Sequence, residues 1–464
     1  MTMTLYNRLK SEQSDPSLYE KASEYAQAYL KQSYDRSVYP EQETLEELNV
    51  FDEPVPDQPA SAHEILDQLD KIGSANTVML NGGRYFGFVN GGITPASIAT
   101  KWLADVWDQN TAMDVMSPIC GKLEIVVEQW LQDLFHLPKT TVAGFVTGTS
   151  MASYCGLIAA RERAYKSLGY DLNRQGMVGA PSLRIITTSH THGSINKTIS
   201  MLGFGLGNVE YIPCDDQGRL LADQLPALDE RCIVILQAGN VNSGSFDPID
   251  EVCDLANEAG AWVHIDGAFG LWAEAVPELS HLTKGLEKAD SWSVDGHKTL
   301  NTPYDCGIIM CKHRESMISA LHASGDYLML DKTREGMLYT TDMSRRNRIV
   351  DLWSTIKSLG RRGIAELVFT FHLRAKQFAK EIEEAGFHVP NDVVFNQVLV
   401  LCEKDEETID VLHDIQNQGV CWCGASSWFG RPVIRVSICA WTTTENDVTK
   451  SVASFKIALE NIGA

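Results

Sequence analysis

Between residues 76 and 312, short apolar segments alternate with segments of helical periodicity, and this alternation limits the possible folds more than any other feature. The apolar segments show little strict alternation, which is typical of strands buried on both faces of a sheet. Helical segments such as Met151–Tyr165 and Ile249–Ala259 lie between them. The apolar segments are Arg184–Thr188, Cys232–Gln237, Trp262–Asp266, Ser291–Val294 and Gly307–Lys312. Strands that alternate with helices predict an α/β fold with a mostly parallel sheet.

The regions on either side of this unit have different patterns. Residues 1–75 are predicted to form an amphipathic helix (Leu18–Tyr34), a connector rich in proline and acidic residues, and a short helix (His63–Ile72). The predicted C-terminal elements are helices Gly363–Glu384, Glu407–Gln416 and Glu445–Glu460, and strands Val393–Cys402 and Ile434–Cys439. We therefore divide the chain into an N-terminal helical segment (1–75), a large domain (76–350) and a small α+β domain (351–464).

The charge of the chain excludes some classes of partner. The 464 residues carry a formal net charge of −22, and an acidic surface repels nucleic-acid phosphates and anionic membranes. We see no signal peptide and no run that approaches the ~18 apolar residues of a membrane span. Eleven scattered cysteines favour a reducing, cytoplasmic location. Cys421 and Cys423 are interpreted as strand residues, and no metal site is predicted.

Chemically useful residues follow several of the predicted strands. Asp266 ends one strand, Lys298 comes shortly after another, and His192 follows a third, while residues 148–150 (Gly-Thr-Ser) open a helix. Ligands of open α/β sheets bind beyond the carboxyl ends of the strands, so these residues are expected to converge. Taken singly, each has an ordinary structural explanation as a turn residue, a solvated lysine, a packed histidine or a helix cap.

As a set, these residues match the requirements of one cofactor, pyridoxal phosphate. That cofactor needs a lysine for a Schiff base, an acid beside the pyridinium nitrogen, and backbone N–H groups at a helix N-terminus for the phosphate. Lys298, Asp266 and residues 148–150 offer these groups. An adjacent negative charge keeps the ring nitrogen protonated, and a protonated ring stabilises a carbanion. The sequence therefore predicts a pyridoxal phosphate site.

Five ordered segments of the chain resemble the group II pyridoxal-phosphate-dependent amino acid decarboxylases. They are GFVTGTSMASYCGLIAARERA, SHTHGSINK, AGNVNSGSFDPIDEVCDLANEAGAWVHIDGAFG, SVDGHKTLNTPYDCG and DMSRRNRIVDLW. The resemblance continues through NQVLV and RPVIRVSICAW near the C-terminus. The resemblance covers about residues 76–460, and ordered motifs are much more specific than a single one. It implies a fold type I, aspartate-aminotransferase-like architecture and a homodimer with active sites at the subunit interface.

The resemblance also implies roles for individual residues. It makes Lys298 the Schiff-base lysine, Asp266 the partner of the pyridinium nitrogen and His192 the residue that stacks on the ring and faces the departing carboxylate. Tyr339 lies in Asp331–Asp342, which resembles the mobile active-site loop of relatives, and is predicted either to donate the proton to Cα or to be an ordinary loop tyrosine. The expected cofactor-binding residues are Gly148, Thr149, Ser150, His192, Asp266, Ala268, His297 and Lys298.

The predicted reaction is decarboxylation of an L-amino acid to the amine and carbon dioxide. The same cofactor also supports carbon–carbon lyases, aldolases and aminotransferases, so these reactions are alternatives. A regulatory homologue without turnover would not need Lys298, Asp266 and His192 together. A nicotinamide-dependent oxidoreductase lacks support, because the GFGLG segment at 203–207 is not a G-x-G-x-x-G motif.

The chain departs from the family pattern near the expected substrate site. Met151 occupies an acidic position of the phosphate loop, and residues 239–241 read Gly-Asn-Val in place of Gly-Thr-Thr. In residues 117–124, Gly121 and Lys122 stand where the family pattern has Thr and Glu. The sequence therefore does not identify the amino acid substrate. The aromatic residues Tyr85, Phe86 and Phe88 line a pocket or belong to the core, and Arg435 reaches the substrate or packs in the small domain.

Overall fold

The computed structural model describes residues 4–322 and 334–463. The helices are α1 (Leu5–Gln13), α2 (Pro16–Gln32), α3 (Gln42–Glu46), α4 (Ala62–Gln68), α5 (Pro95–Trp107), α6 (Pro118–Leu134), α7 (Thr149–Ser167), α8 (Leu172–Gln175), α9 (Gly193–Met201), α10 (Ile249–Ala259), α11 (Arg314–Leu321), α12 (Ile349–Glu384), α13 (Asp405–Gln418) and α14 (Glu445–Gly463). The strands are β1 (Val142–Val146), β2 (Arg184–Thr188), β3 (Val209–Ile212), β4 (Cys232–Gln237), β5 (Trp262–Asp266), β6 (Ser291–Asp295), β7 (Gly307–Cys311), β8 (Gln397–Val400), β9 (Gly424–Trp428) and β10 (Arg431–Ser437). Short helical turns join several of these elements.

The large sheet has the strand order β1-β7-β6-β5-β4-β2-β3. Strands β2 to β6 pair in parallel, while β7 runs antiparallel to both β6 and β1. The five predicted strands are β2, β4, β5, β6 and β7, with ends that agree to within one residue. Buried residues occupy both faces of the central strands, because helices cover the sheet on both sides. The predicted α/β fold with a mostly parallel sheet is confirmed.

The carboxyl ends of six strands, β1 to β6, lie on the same side of this sheet. Strands β2, β4, β5 and β6 end there at Thr188, Gln237, Asp266 and Asp295. Strand β1 has the same direction, because it pairs with the single reversed strand β7, and it leads into the first turn of α7. The predicted site residues therefore meet at the carboxyl ends of the strands, as strand direction requires.

The C-terminal elements form a second, smaller core around the antiparallel sheet β8-β10-β9. Helix α12 begins before the predicted start at Gly363 and is kinked at Gly360, whose φ is 61°. Its first half packs in the large core through residues such as Ile356, and its second half packs in the small core through residues such as Phe378. The two cores therefore divide inside α12, whereas the sequence-based boundary falls at residue 350.

The N-terminal helices lie on the surface of these two units. Helix α2 begins at Pro16, two residues before the predicted start, because the Asp15 carboxylate accepts the Ser17 N–H and proline is favoured at the first helical position. Neither α1 nor α2 contains a buried residue. The backbone N–H of Val38 donates to the Gly419 carbonyl at 3.0 Å, which joins this segment to the small domain. Within the described residues, no helix is both long and apolar enough to span a membrane.

Candidate active site

A cavity of about 490 Å³ lies at the carboxyl ends of the strands of the large sheet. All the residues predicted to bind the cofactor line it: Gly148, Thr149, Ser150, His192, Asp266, Ala268, His297 and Lys298. They come from four strand ends and from the first turns of α7 and α9. The structure thus brings together residues that are up to 150 positions apart in sequence (148 and 298).

The first turn of α7 opens into the cavity. Gly148 precedes the helix in an extended conformation, and its carbonyl accepts the N–H groups of Met151 and Ala152 at 3.0 and 2.9 Å. The N–H groups of Thr149 and Ser150 come before these bonds, so they have no acceptor within the helix. A helix N-terminus of this kind binds anions through free N–H groups and the helix dipole.

Asp266 is a buried carboxylate at the end of β5. Its side chain is 5% exposed, and Oδ1 accepts the Ala268 N–H at 3.2 Å. Burial raises the pKa of Asp266, although the interactions of the carboxylate with Lys298 and with the protonated form of His192 oppose this effect. A further cation in the cavity would stabilise the ionised carboxylate. Asp266 can therefore partner a protonated ring nitrogen.

Lys298 is held by a second buried acid, Asp295. The Lys298 Nζ lies 2.9 Å from Asp295 Oδ2, and Asp295 is 1% exposed. Burial opposes ionisation of Asp295, but the charges of Lys298 and His297 hold the pKa of Asp295 below its usual value. Asp295 is a functional residue that sequence reasoning missed. Its position at the end of β6, three residues before Lys298, was the available signal.

His192 caps the N-terminus of α9. Its Nδ1 accepts the Ser194 N–H at 3.2 Å and lies 2.7 Å from the Ser194 hydroxyl, which fixes the orientation of the ring. Desolvation by the cavity walls lowers the pKa of His192. The Asp266 carboxylate opposes this shift, whereas the positive charges of Lys298 and Arg435 add to it. His192 is therefore neutral near pH 7, so its ring can stack on a cationic ring without repulsion.

The His297 ring is fixed by the backbone of Cys306 and by an aromatic neighbour. The Cys306 N–H donates to His297 Nδ1 at 3.0 Å, and the imidazole stacks on the Tyr304 ring with centroids 4.3 Å apart. Burial lowers the pKa of His297. The Asp295 carboxylate, whose Oδ2 lies 3.5 Å from His297 Nε2, opposes this shift. His297 thus forms part of the support for the Asp295–Lys298 pair, and Tyr304 adds a phenol to the cavity wall that the sequence analysis did not identify.

Comparison with known proteins identifies the family. A profile of the pyridoxal-dependent decarboxylase conserved domain matches residues 44–401. The chain belongs to the pyridoxal-dependent decarboxylase family. The aromatic-L-amino-acid decarboxylase of Catharanthus roseus is 28% identical over 297 residues, which are 60% of this chain and 58% of that enzyme. The chain thus matches less than two thirds of that relative's length. The tyrosine decarboxylase of Papaver somniferum is 26% identical over 393 residues, 75% of each protein.

Solved structures of pyridoxal-dependent decarboxylases share this fold. The tryptophan decarboxylase of Catharanthus roseus, in complex with L-tryptophan, superposes with a TM-score of 0.86 at 20% identity over 100% of both chains. Oryza sativa TDC with PLP and tryptamine superposes with a TM-score of 0.88 at 21% identity, over 96% of this chain and 97% of that one. The predicted fold type I architecture is therefore confirmed.

The cavity of this pyridoxal-dependent decarboxylase family member fits pyridoxal phosphate. Asp266 is a buried anion that would face a pyridinium, and the first turn of α7 offers N–H groups to a phosphate. Gln237 also lines the cavity, and its Nε2 is buried without a hydrogen-bond partner in the part of the chain that the structure describes. A buried donor of this kind is normally satisfied, so it is available to an acceptor atom of a ligand.

Tyr339 does not lie in this cavity. It is 2% exposed, its hydroxyl accepts the Arg314 Nε–H at 3.0 Å, and the Arg334 guanidinium lies 4.2 Å from its ring centroid. Its backbone packs against Gly144 in the middle of β1, whereas the cavity lies beyond Val146, at the carboxyl end of that strand. This burial contradicts the alternative that Tyr339 is an ordinary surface loop tyrosine, while its role as the proton donor stays a prediction. Part of the predicted loop, residues 331–333, lies outside the described residues.

The remaining candidates divide between the cavity and the core. Phe88 is 60% exposed and lines the cavity, whereas Phe86 is fully buried in the small core. Tyr85 stacks on Trp422 outside the cavity lining, with ring centroids 5.1 Å apart. Arg435, on β10, reaches the cavity, and its guanidinium has no carboxylate partner among the described residues. Burial lowers the pKa of Arg435.

Proposed function

We propose that the protein decarboxylates an L-amino acid to the amine and carbon dioxide, with pyridoxal phosphate bound through Lys298. The observation that supports this proposal is the convergence of Lys298, Asp266, His192 and the α7 N-terminus on one cavity. Each group alone has a structural explanation, but this chemical set in one cavity matches the needs of the cofactor. Membership of the pyridoxal-dependent decarboxylase family supports the same reaction.

Each residue of the cavity has a defined task in this proposal. The chemistry that pyridoxal phosphate supplies when bound is an electron sink for the bonding pair left at Cα when carbon dioxide departs. Asp266 holds a proton on the ring nitrogen, and residues 148–150 bind the phosphate. His192 stacks on the ring and excludes water from one face. Lys298 Nζ, oriented by Asp295, binds the cofactor and is positioned to move a proton to Cα.

We propose an aromatic L-amino acid as the substrate. The exposed ring of Phe88, the Tyr304 ring and the side chain of Val241 form apolar walls that suit an aromatic side chain. Arg435 offers the cavity a cation that can bind the substrate carboxylate. The described residues of the cavity contain no carboxylate apart from Asp266 and Asp295, which disfavours a cationic side chain. Relatives named for tyrosine and aromatic amino acids agree with this choice.

We further propose a cytoplasmic homodimer. One face of α5 exposes Trp102, Leu103, Val106 and Trp107, whose exposed fractions are 42%, 54%, 78% and 44%. Contiguous apolar surface of this kind marks an interface, and a second copy is the simplest partner for an acidic metabolic enzyme. All eleven cysteines are free thiols, which agrees with a reducing compartment. Light scattering should give twice the mass of one chain.

The test is a product screen with purified protein, added pyridoxal phosphate and a panel of L-amino acids. Carbon dioxide, amine and aldehyde are all measured, because one relative is a phenylacetaldehyde synthase of Petunia hybrida. We expect equal amounts of carbon dioxide and amine from aromatic substrates, and none from the Lys298→Ala variant. Keto acid formation, or carbon–carbon cleavage without release of carbon dioxide, would reject decarboxylation in favour of an aminotransferase or a lyase.

A further inference from the structure

Among the strands that the structure describes in the large sheet, only β7 is reversed, so its carboxyl end lies on the side opposite the candidate active site. Strand β7 ends at Cys311, and helix α11 begins shortly after it at Arg314. Ligands of α/β sheets bind where strands end and helices begin. A cavity of about 1030 Å³ lies at this point, beside the amino ends of β1 and β5. The reversal of β7 therefore creates a second crevice of the kind that binds ligands.

The lining of this cavity is positively charged, although the chain as a whole carries a net charge of −22. The cationic lining residues are Lys139, Arg163, Lys166, Lys312, Arg314 and Arg334, and the acidic ones are Glu128, Glu230 and Glu315. Two of the cations are neutralised by ion pairs. Lys139 pairs with Asp133, and Arg334 pairs with Glu128 at 2.6 Å. A positive cavity in an acidic protein attracts anions to that place on the surface.

Three further cations, Arg163, Lys312 and Arg314, meet at the start of α11 without a carboxylate partner among the described residues. Arg163 reaches this turn from α7, and its Nη1 lies 3.4 Å from His313 Nδ1. Arg314 donates its Nε–H to the Tyr339 hydroxyl, which leaves the two amino groups of its guanidinium for a ligand. Because like charges repel each other, an anion bound between these three side chains would be stabilising.

The first turn of α11 adds backbone donors to the same place. The first bond of the helix runs from the Met317 N–H to the His313 carbonyl at 3.2 Å, and no side chain caps this end. The N–H groups of residues 314–316 precede that bond, so they have no acceptor within the helix. All three residues line the cavity. Their N–H groups can therefore donate to an anion there.

A buried hydroxyl provides independent evidence for a ligand. Thr141 lines the cavity just before β1, and the antiparallel register of β1 and β7 places it opposite Lys312. Thr141 is 2% exposed, and its Oγ1 has no hydrogen-bond partner within residues 4–322 and 334–463. Buried hydroxyl groups normally have a partner, so this one is available to a bound molecule.

We propose that this cavity binds a small molecule with two or more linked phosphate groups. Phosphate oxygens suit guanidinium, ammonium and helix N-terminal donors together. A single phosphate carries at most about two charges at neutral pH, fewer than the three unpaired cations at the start of α11. The volume is also that of a site for a whole small molecule and not for one ion. The cavity shares no lining residue with the candidate active site, so the proposal does not depend on decarboxylation.

The test is isothermal titration calorimetry of the holoenzyme with inorganic phosphate, tripolyphosphate and ATP, in the absence of magnesium. Bound cofactor occupies the phosphate site at α7, so the probes report on other sites. We expect one tripolyphosphate per chain, bound about tenfold or more tightly than inorganic phosphate, with unchanged absorbance of the bound cofactor. Tighter binding of ATP than of tripolyphosphate would indicate a nucleotide as the ligand. Equal or weaker binding of ATP would indicate a free polyphosphate chain.

Matched double variants locate the site. Arg163→Gln/Lys312→Gln removes two cations that make no ion pair, and should weaken tripolyphosphate binding about tenfold. Lys450→Gln/Lys456→Gln makes the same change in net charge at two exposed lysines of α14, and should bind like wild type. Arg163→Gln alone should weaken binding about threefold, and it replaces the first double variant if that variant does not fold.

Four results would overturn the proposal. Wild type would not bind tripolyphosphate at millimolar concentrations, or the variants of Arg163 would bind it as tightly as wild type. Equal weakening in both double variants would show attraction by the general charge of the protein and not by this cavity. Citrate that binds as tightly as tripolyphosphate would show that the site does not recognise phosphate.

Discussion

Two cavities lie at opposite ends of the large sheet, and the smaller one is the candidate active site. The larger, of about 1030 Å³, is lined by the amino ends of β1 and β5, by Tyr339 and by cations such as Arg163 and Lys166. The smaller, of about 490 Å³, lies beyond the carboxyl ends and collects Lys298, Asp266 and His192. Strand direction and side-chain chemistry therefore identify the site, whereas cavity volume does not.

The largest expected effect distinguishes the lysines of the two cavities. Lys298→Ala removes the amine that binds the cofactor, so we expect loss of the visible absorbance of bound cofactor and of nearly all turnover. Lys166→Ala, at the larger cavity, is the matched control and should retain both. Absorbance spectra and carbon dioxide release measure the two effects. Normal activity in the Lys298→Ala variant, or loss of activity in the Lys166→Ala variant, would contradict the assignment of the active site to the smaller cavity.

A second experiment compares buried acids at the two ends of the sheet. Asp266→Asn keeps the shape of the side chain but removes its charge, so the ring nitrogen is no longer held protonated. We expect weaker cofactor retention and a rate lower by orders of magnitude, on the order of several kcal/mol in the barrier.

Asp290→Asn is the control for this experiment at the opposite end. Asp290 precedes β6 and accepts the Val263 N–H at 2.9 Å. Its substitution should reduce stability but leave the rate per bound cofactor close to wild type. Similar rate losses in both variants would show that general disruption of the sheet explains the effect, and not the charge of Asp266.

The sequence predicted the strands and the site residues that depend on local patterns. The five strands were predicted to within a residue because buried strands are continuous apolar runs, and Lys298, Asp266 and His192 were placed by the strand ends. Strands β1 and β3 were not predicted as elements. Strand β3, which lies at the edge of the sheet, has only one buried residue and so a weak apolar signal.

Properties set by distant contacts could not be predicted in the same way. Tyr339 was predicted to be the proton donor or an ordinary loop tyrosine, because its segment resembles the mobile active-site loop of relatives. Packing against Arg314 and Arg334 buries it outside the cavity of its own chain. The pairing of Asn90 with Tyr304 joins residues 214 positions apart, and no local pattern indicates such a contact. The division of the two cores inside α12 likewise depends on tertiary packing and not on a change in helical periodicity.

The stability of the active-site end should depend on pH through Asp247. This carboxyl is buried beside the end of β4, where it accepts the N–H groups of Gln237 and Leu220 at 2.6 and 2.8 Å. Burial raises the pKa of Asp247 from 3.8 to about 6, although both hydrogen bonds oppose the shift. The folded state thus binds this proton more tightly than the unfolded state. The resulting stabilisation is complete below pH ~3.8 and is lost as the pH rises through about 6, by up to about 3 kcal/mol.

The measurement for Asp247 is a comparison of unfolding free energies at pH 5 and pH 7.5. Wild type should lose more stability over this interval than Asp247→Asn, which has no proton to release. Other acids titrate in both proteins, so the difference between the two isolates Asp247. Equal losses would show that Asp247 is not responsible, and a smaller loss in wild type would contradict the direction of its pKa shift.

The smallest expected effect concerns Tyr339, at the larger cavity. Tyr339→Phe removes the hydroxyl that accepts the Arg314 Nε–H but keeps the ring under the Arg334 guanidinium. We expect a loss of about 1 kcal/mol in unfolding free energy, the usual contribution of one hydrogen bond, and a ratio of amine to aldehyde equal to that of wild type. Denaturant unfolding and product analysis measure the two quantities. A proton donor would behave differently, because its removal strands the carbanion and increases the share of aldehyde. An increase of that kind would place Tyr339 in the chemistry after all, and would require it to act at the cavity of a second copy of the chain.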